Sequence, residues 1–172
     1  MINLFKKSYS EKEINFFRFL GRMALFEKLT YEEMSLFLPF FYLREYKSDE
    51  VVFFRNDPSN ALYLVKSGKV SLCVDVNDNF ETLRNIKSGG EFGENSLLPS
   101  SNRILNAIVA SERAELYVLP KINIEGILGS HAKINSKMMQ SLAEVYNDLN
   151  RLVFKGYTSS AGLFNLSQIY GN

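Results

Sequence analysis

Between Phe41 and Leu119 the chain breaks into short runs rich in Val, Tyr, Phe and Leu, cut apart by turn clusters at 47–50, 56–60 and 77–79. Such runs read as strands, because β-branched and aromatic side chains fit a pleated, half-buried surface. The spacing predicts strands at 41–46, 51–55, 61–66, 69–76, 80–86, 104–110 and 115–119, with a short extra pairing near Phe92. Eight such strands in two sheets make an antiparallel jelly-roll (double-stranded β-helix) barrel. Within residues 69–76, Val70, Leu72, Val74 and Val76 share one face, turned either to the core or to a bound ligand.

Helical periodicity flanks this region, so the class is mainly β with flanking helices. Ser10-Glu11-Lys12-Glu13 is a capping box that opens a helix to about Arg22. Thr30-Tyr31-Glu32-Glu33 opens a second through Met34, Phe37 and Leu38, which Pro39 disrupts or ends. Ile122, Ile124, Ile127 and Leu128 suggest a short helix interrupted at Gly126 and Gly129. From His131 to about Lys155, Met138, Leu142, Val145, Leu149 and Leu152 alternate spacings of four and three. That seam either pairs with its copy in a homodimer or folds the helix onto its own barrel. The division is thus an N-terminal helix at 1–22, the roll at 23–130, a C-terminal helix at 131–155 and a tail at 156–172.

Composition closes off several functions. The 172 residues suit one domain with appendages, and 46% hydrophobic content is enough for a core. With 20 basic and 19 acidic residues the net charge is +1, which recommends neither nucleic acid nor an anionic membrane as partner. Any anion site must therefore be local. The single cysteine, Cys73, rules out an internal disulfide and a multi-cysteine metal site. The single histidine, His131, rules out the histidine cluster of a jelly-roll metalloenzyme of the cupin kind. Scattered carboxylates alone carry no reaction, so neither an enzyme nor a metal site is expected. No stretch approaches the roughly 18 apolar residues of a membrane helix, and residues 1–7 lack the regions of a signal peptide. A cytoplasmic location is the expectation.

The stretch that carries chemistry is 88–103, Ser-Gly-Gly-Glu-Phe-Gly-Glu-Asn-Ser-Leu-Leu-Pro-Ser-Ser-Asn-Arg. Gly89, Gly90 and Gly93 let the backbone approach a ligand closely. Glu94 to Leu98 have the length of one helical turn, whose free amides point outward as anion donors. Arg103, nine residues after Glu94, returns a guanidinium to the same spot. Glu94 cannot contact a phosphate, but its carboxylate accepts from a sugar hydroxyl, so the set reads as acceptor, amides and cation for one sugar phosphate. The bland alternative is a Gly-Glu turn in which Glu94 and Arg103 pair with each other.

Phe92-Gly93-Glu94, then Leu97-Leu98, then Arg103 resembles the phosphate-binding cassette of cyclic nucleotide-binding domains, F-G-E-x-x-L-L with an arginine nine residues after the glutamate. The likeness runs from about Met23 to Leu128, through Ala24-Leu25-Phe26, Ala61-Leu62-Tyr63-Leu64-Val65 and Ser67-Gly68-Lys69-Val70. It implies a regulatory sensor whose ligand, cyclic AMP or cyclic GMP, meets Gly93, Glu94, Asn95, Arg103, Ile104 and Leu105, with the C-terminal helices passing the signal to an unidentified downstream protein. Transcription regulators with this sensor continue into a helix-turn-helix module; residues 156–172 are too few for one, so no nucleic-acid partner is expected.

Two departures stand out. The family places small residues after the arginine, where this chain has Ile104 and Leu105, and one residue too many separates Arg103 from the next strand, which calls for a bulge or a longer loop. If Ile104 and Leu105 fill the site, the chain is an interaction and dimerisation module that keeps the fold without the ligand. If they do not, it is a sensor.

Overall fold

The computed structural model describes residues 8–77 and 79–159. Eight strands form: β1 (Tyr42–Lys47), β2 (Val51–Phe53), β3 (Ala61–Ser67), β4 (Lys69–Val76), β5 (Asn79–Lys87), β6 (Glu91–Phe92), β7 (Asn106–Val109) and β8 (Arg113–Pro120). All pairings are antiparallel, in two four-stranded sheets ordered β1-β8-β3-β6 and β2-β7-β4-β5. The two sheets face each other as a roll but do not close on one another, so the expected barrel is an open sandwich at its rim.

The alternation of β3 and β8 builds the layers. Leu62, Leu64 and Leu119 belong to a core shared with the helices, whereas Val65, Ala114 and Leu116 belong to a second core with Val70, Phe92, Ala107 and Val109 between the sheets. Period-two side chains thus give the β1-β8-β3-β6 sheet two dry faces. In β4, Val70 and Leu72 turn to the inter-sheet core, while a register shift after Leu72 leaves Val76 in solvent.

Both capping boxes form. Ser10 caps α1 (Glu11–Leu20) with Glu13 reaching back, and Thr30 caps α2 (Tyr31–Ser35) with Glu33. A short 3-10 turn, Leu38–Phe40, accommodates Pro39. The third helix, α3 (Lys121–Ser130), runs unbroken through Gly126 and Gly129, because Ile124, Ile127 and Leu128 are buried and their packing outweighs the glycine penalty. The break falls instead at His131, which leaves the helical region before α4 (Ala132–Ser159). That helix continues four residues past the expected end at Lys155, and the remainder of the tail, 160–172, lies outside the described residues.

The first half of the α4 seam belongs to the chain's own core: Met138 is 0% and Leu142 3% exposed. Lys137 on α4 pairs with Glu33 at 2.6 Å, and Lys28 pairs with Glu144 and reaches Ser141. Burial pushes the Glu33 carboxyl up, but hydrogen bonds from Lys137 and Thr30 outweigh it and hold Glu33 below its ordinary value. Tyr146 still packs against that core, and beyond Leu149 the apolar residues Leu152, Val153 and Phe154 are exposed.

Candidate functional site

The cassette is the link between the two sheets. Phe92 in β6 pairs with Tyr63 of β3 and is buried in the inter-sheet core. Gly93 then turns left-handed, φ +80°, and starts a 3-10 turn, Glu94–Leu97. Ser96 N donates to Gly93 O at 3.0 Å and Leu98 N to Asn95 O at 3.1 Å, so the amides of Glu94 and Asn95 lie ahead of the turn's own bonding. Leu97 anchors the turn in the helical core.

The chain returns through Asn102, which bridges to Pro58, and Arg103, whose backbone bonds to Asp57 and Asn56. The Arg103 side chain turns inward and is 3% exposed. Nη1 donates to Gly93 O at 3.1 Å and Asn95 Oδ1 at 3.0 Å, Nη2 donates to Ala61 O at 2.6 Å, and the guanidinium stacks 4.1 Å above the Phe53 ring. No carboxylate pairs with it among the described residues, and its Nε is buried without a partner. Burial pulls its pKa down against Tyr63, Glu94 and Asp57, yet an arginine stays charged. The buried cation is thus held by neutral acceptors on two of its nitrogens, and the third stays buried without one.

Gly93 has to be glycine twice over. Its φ is left-handed, and a Cβ there would sit 2.7 Å from Arg103 Nη1 and 3.1 Å from Ala61 O. Asn95 is the hub of the turn: its Oδ1 also accepts from Ser59 Oγ at 2.8 Å, and its Nδ2 donates to Asn102 O at 2.7 Å.

Glu94 turns the other way, into a cavity of about 210 Å³ that it shares with Arg22, Arg84, Gly89, Glu91 and Val145. It forms no pair with Arg103, whose side chain instead ties the turn to Ala61. Glu91, on β6, accepts from Leu25 N at 3.0 Å through Oε1, while Oε2 is buried without a partner.

The structure therefore joins Gly93, Asn95 and Arg103 by direct bonds, whereas Glu94 faces a cavity that none of these three lines. Ile104 does not fill the site: it is 69% exposed, and Leu105 is half-buried in the same bend. That bend takes up the extra residue, so β7 starts at Asn106 and not at 104. Sequence reasoning missed Phe53 and Tyr63, which cover the guanidinium, and Ser96, whose buried Oγ has no partner. Tyr63 was in view within the Ala61-to-Val65 run, but nothing in a strand's period says which cross-sheet group its ring will meet.

Two open antiparallel sheets, a helical layer and a buried guanidinium facing a glycine-opened turn define a jelly roll with a cation held at its cassette turn. Residues 43–131 match the cyclic nucleotide-binding domain family, and the chain belongs to it. It is 41% identical over 96 residues to the cyclic AMP receptor protein of Thermus thermophilus, covering 55% of this chain and 44% of that protein. It spans under half the length of the curated relatives it matches. Among solved structures, the Thermus thermophilus catabolite activator protein is 28% identical with a TM-score of 0.64, over 78% of this chain and 63% of that one. A cyclic nucleotide-binding domain from Methylobacillus flagellatus superposes with a TM-score of 0.72 at 17% identity, over 85% and 84% of the two chains. No helix among the described residues is long and apolar enough to cross a membrane.

Proposed function

We propose that the chain is a cyclic nucleotide sensor that takes cyclic AMP or cyclic GMP, with the phosphate between Arg103 Nε and the amides around Gly93 to Asn95. The observation that carries this reading is the Arg103 guanidinium, 3% exposed, without a carboxylate partner among the described residues and with a buried Nε that bonds to none of them. Glu94 accepts a ribose hydroxyl, and the rest of the ligand extends into the cavity that Glu94 lines with Arg84 and Val145. Residues 23–130 act as the sensor unit. The signal passes to α4, whose Glu144 and Ser141 meet Lys28 of the N-terminal loop. The exposed distal face of α4 serves a homodimer or a downstream protein in a cytoplasmic setting. The interaction-module reading needs Ile104 and Leu105 inside the site, and the exposure of Ile104 speaks against it.

Isothermal titration with each nucleotide tests this. Saturable binding is expected, weakened by Arg103→Ala. No heat and no thermal shift at millimolar ligand would leave the interaction module standing.

A further inference from the structure

The strand that feeds the cassette is also tied to the N-terminal loop, residues 21–29, and the tie is Glu91. Leu25 N, fully buried, donates to Glu91 Oε1 at 3.0 Å across 66 residues of sequence. The second oxygen, Oε2, is buried with no partner. A carboxylate so placed keeps charge on a buried oxygen, which desolvation disfavours, and the neutral acid avoids this.

The charged groups around it do not offset the problem. Glu94 faces it from the cassette, Glu27 and Arg22 from the loop, and Arg84 from β5, while α4 contributes Val145 to the wall, with Tyr146 coupled to Glu94. Neither arginine bonds to Glu91. Burial first, then Glu94 and Glu27, push its carboxyl up to about 7 against the amides of Leu25 and Ala24.

We propose that Glu91 is a positioning residue whose proton sets how firmly the N-terminal loop closes on the cassette, and through the cassette how tightly an anion is held. It rests on the cyclic nucleotide reading for its ligand. Neutral Glu91 keeps the Leu25 bond through Oε1 and puts no charge beside the phosphate. Ionised Glu91 repels Glu94 and the phosphate and draws water to Oε2, which loosens the loop. Because Lys28 on that loop holds Glu144 and Ser141 of α4, the loosening reaches the output helix. By linkage, the bound nucleotide holds the proton on Glu91.

Two measurements separate this proposal from the reading it rests on. In ligand-free wild type, the Glu91 carboxyl carbon, followed by NMR, titrates near 7 with the Leu25 amide shifting at the same midpoint; a midpoint near the ordinary 4.5 overturns the proposal whether or not nucleotide binds. For binding, titration of wild type with cyclic AMP and cyclic GMP at pH 6 and 8 gives an affinity weaker at the higher pH by about fivefold or more, the low end of ordinary coupling between sites. Glu91→Gln keeps the acceptor and removes the charge, so its affinity stays flat and tight across that range. A variant that keeps the wild-type slope overturns the proposal. If wild type binds neither nucleotide at either pH, the sensor reading fails, and the ligand-free titration still decides Glu91's role at the loop.

Discussion

Replacing Gly93 by alanine sets two effects against each other that Gly89 can separate. Both glycines are left-handed, φ +80° and +82°, so an alanine at either costs about 1–2 kcal/mol of backbone strain. At Gly89 nothing lies within 4 Å of the new Cβ, whereas at Gly93 it meets Arg103 Nη1 at 2.7 Å. The guanidinium has to move, and a charge-assisted hydrogen bond is worth about 1.5–3 kcal/mol. Gly93→Ala is therefore expected to lose about 2.5–5 kcal/mol of stability and Gly89→Ala about 1–2. For a chain of this size that is roughly 5–20 °C of melting temperature for Gly93→Ala. Urea unfolding of wild type and both variants gives the comparison. If the two variants lose the same stability, Arg103 does not pack against Gly93 as described.

Three further outcomes follow from the same geometry. Arg103→Ala weakens nucleotide binding about tenfold or more, and Glu94→Gln less, because an amide oxygen still accepts from a hydroxyl; calorimetry checks both. Glu91, raised from 4.5 to about 7, contributes stability that is fully present below about 4.5 and lost as pH rises through 7. The loss amounts to up to about 3 kcal/mol, so unfolding free energy of the ligand-free protein falls over that window in wild type and stays flatter in Glu91→Gln. Leu142→Asp buries a charge in the chain's own core and unfolds the protein, whereas Leu152→Asp, on an exposed site, leaves the fold intact and is expected to split the proposed homodimer in sedimentation. A wild type that sediments as one chain across micromolar concentrations contradicts the dimer.

The order of elements was legible because each carries a local signal. Capping boxes at Ser10 and Thr30 mark helix starts, and alternation marks the strands, with Arg103 nine residues after Glu94 marking the cassette. What stayed illegible depends on partners distant in sequence. A seam of four-and-three spacing names a face without naming what covers it, and Met138 and Leu142 turned out to meet the chain's own helices. The start of β7 was misplaced because Ile104 and Leu105 have strand propensity, while Arg103 is held inward by Gly93, Asn95 and Ala61 and the two residues after it bend outward. Glu91 drew no attention in the sequence, since its meaning comes from Leu25, a residue in another element.

The central claim is that Arg103 Nε receives the phosphate. In ¹⁵N-detected spectra of the wild type titrated with cyclic AMP or cyclic GMP, the Arg103 Nε–H signal and the amides of Glu94 and Asn95 are predicted to shift together and saturate at one ligand concentration. Saturable binding that leaves the Arg103 Nε–H signal where it was contradicts the account.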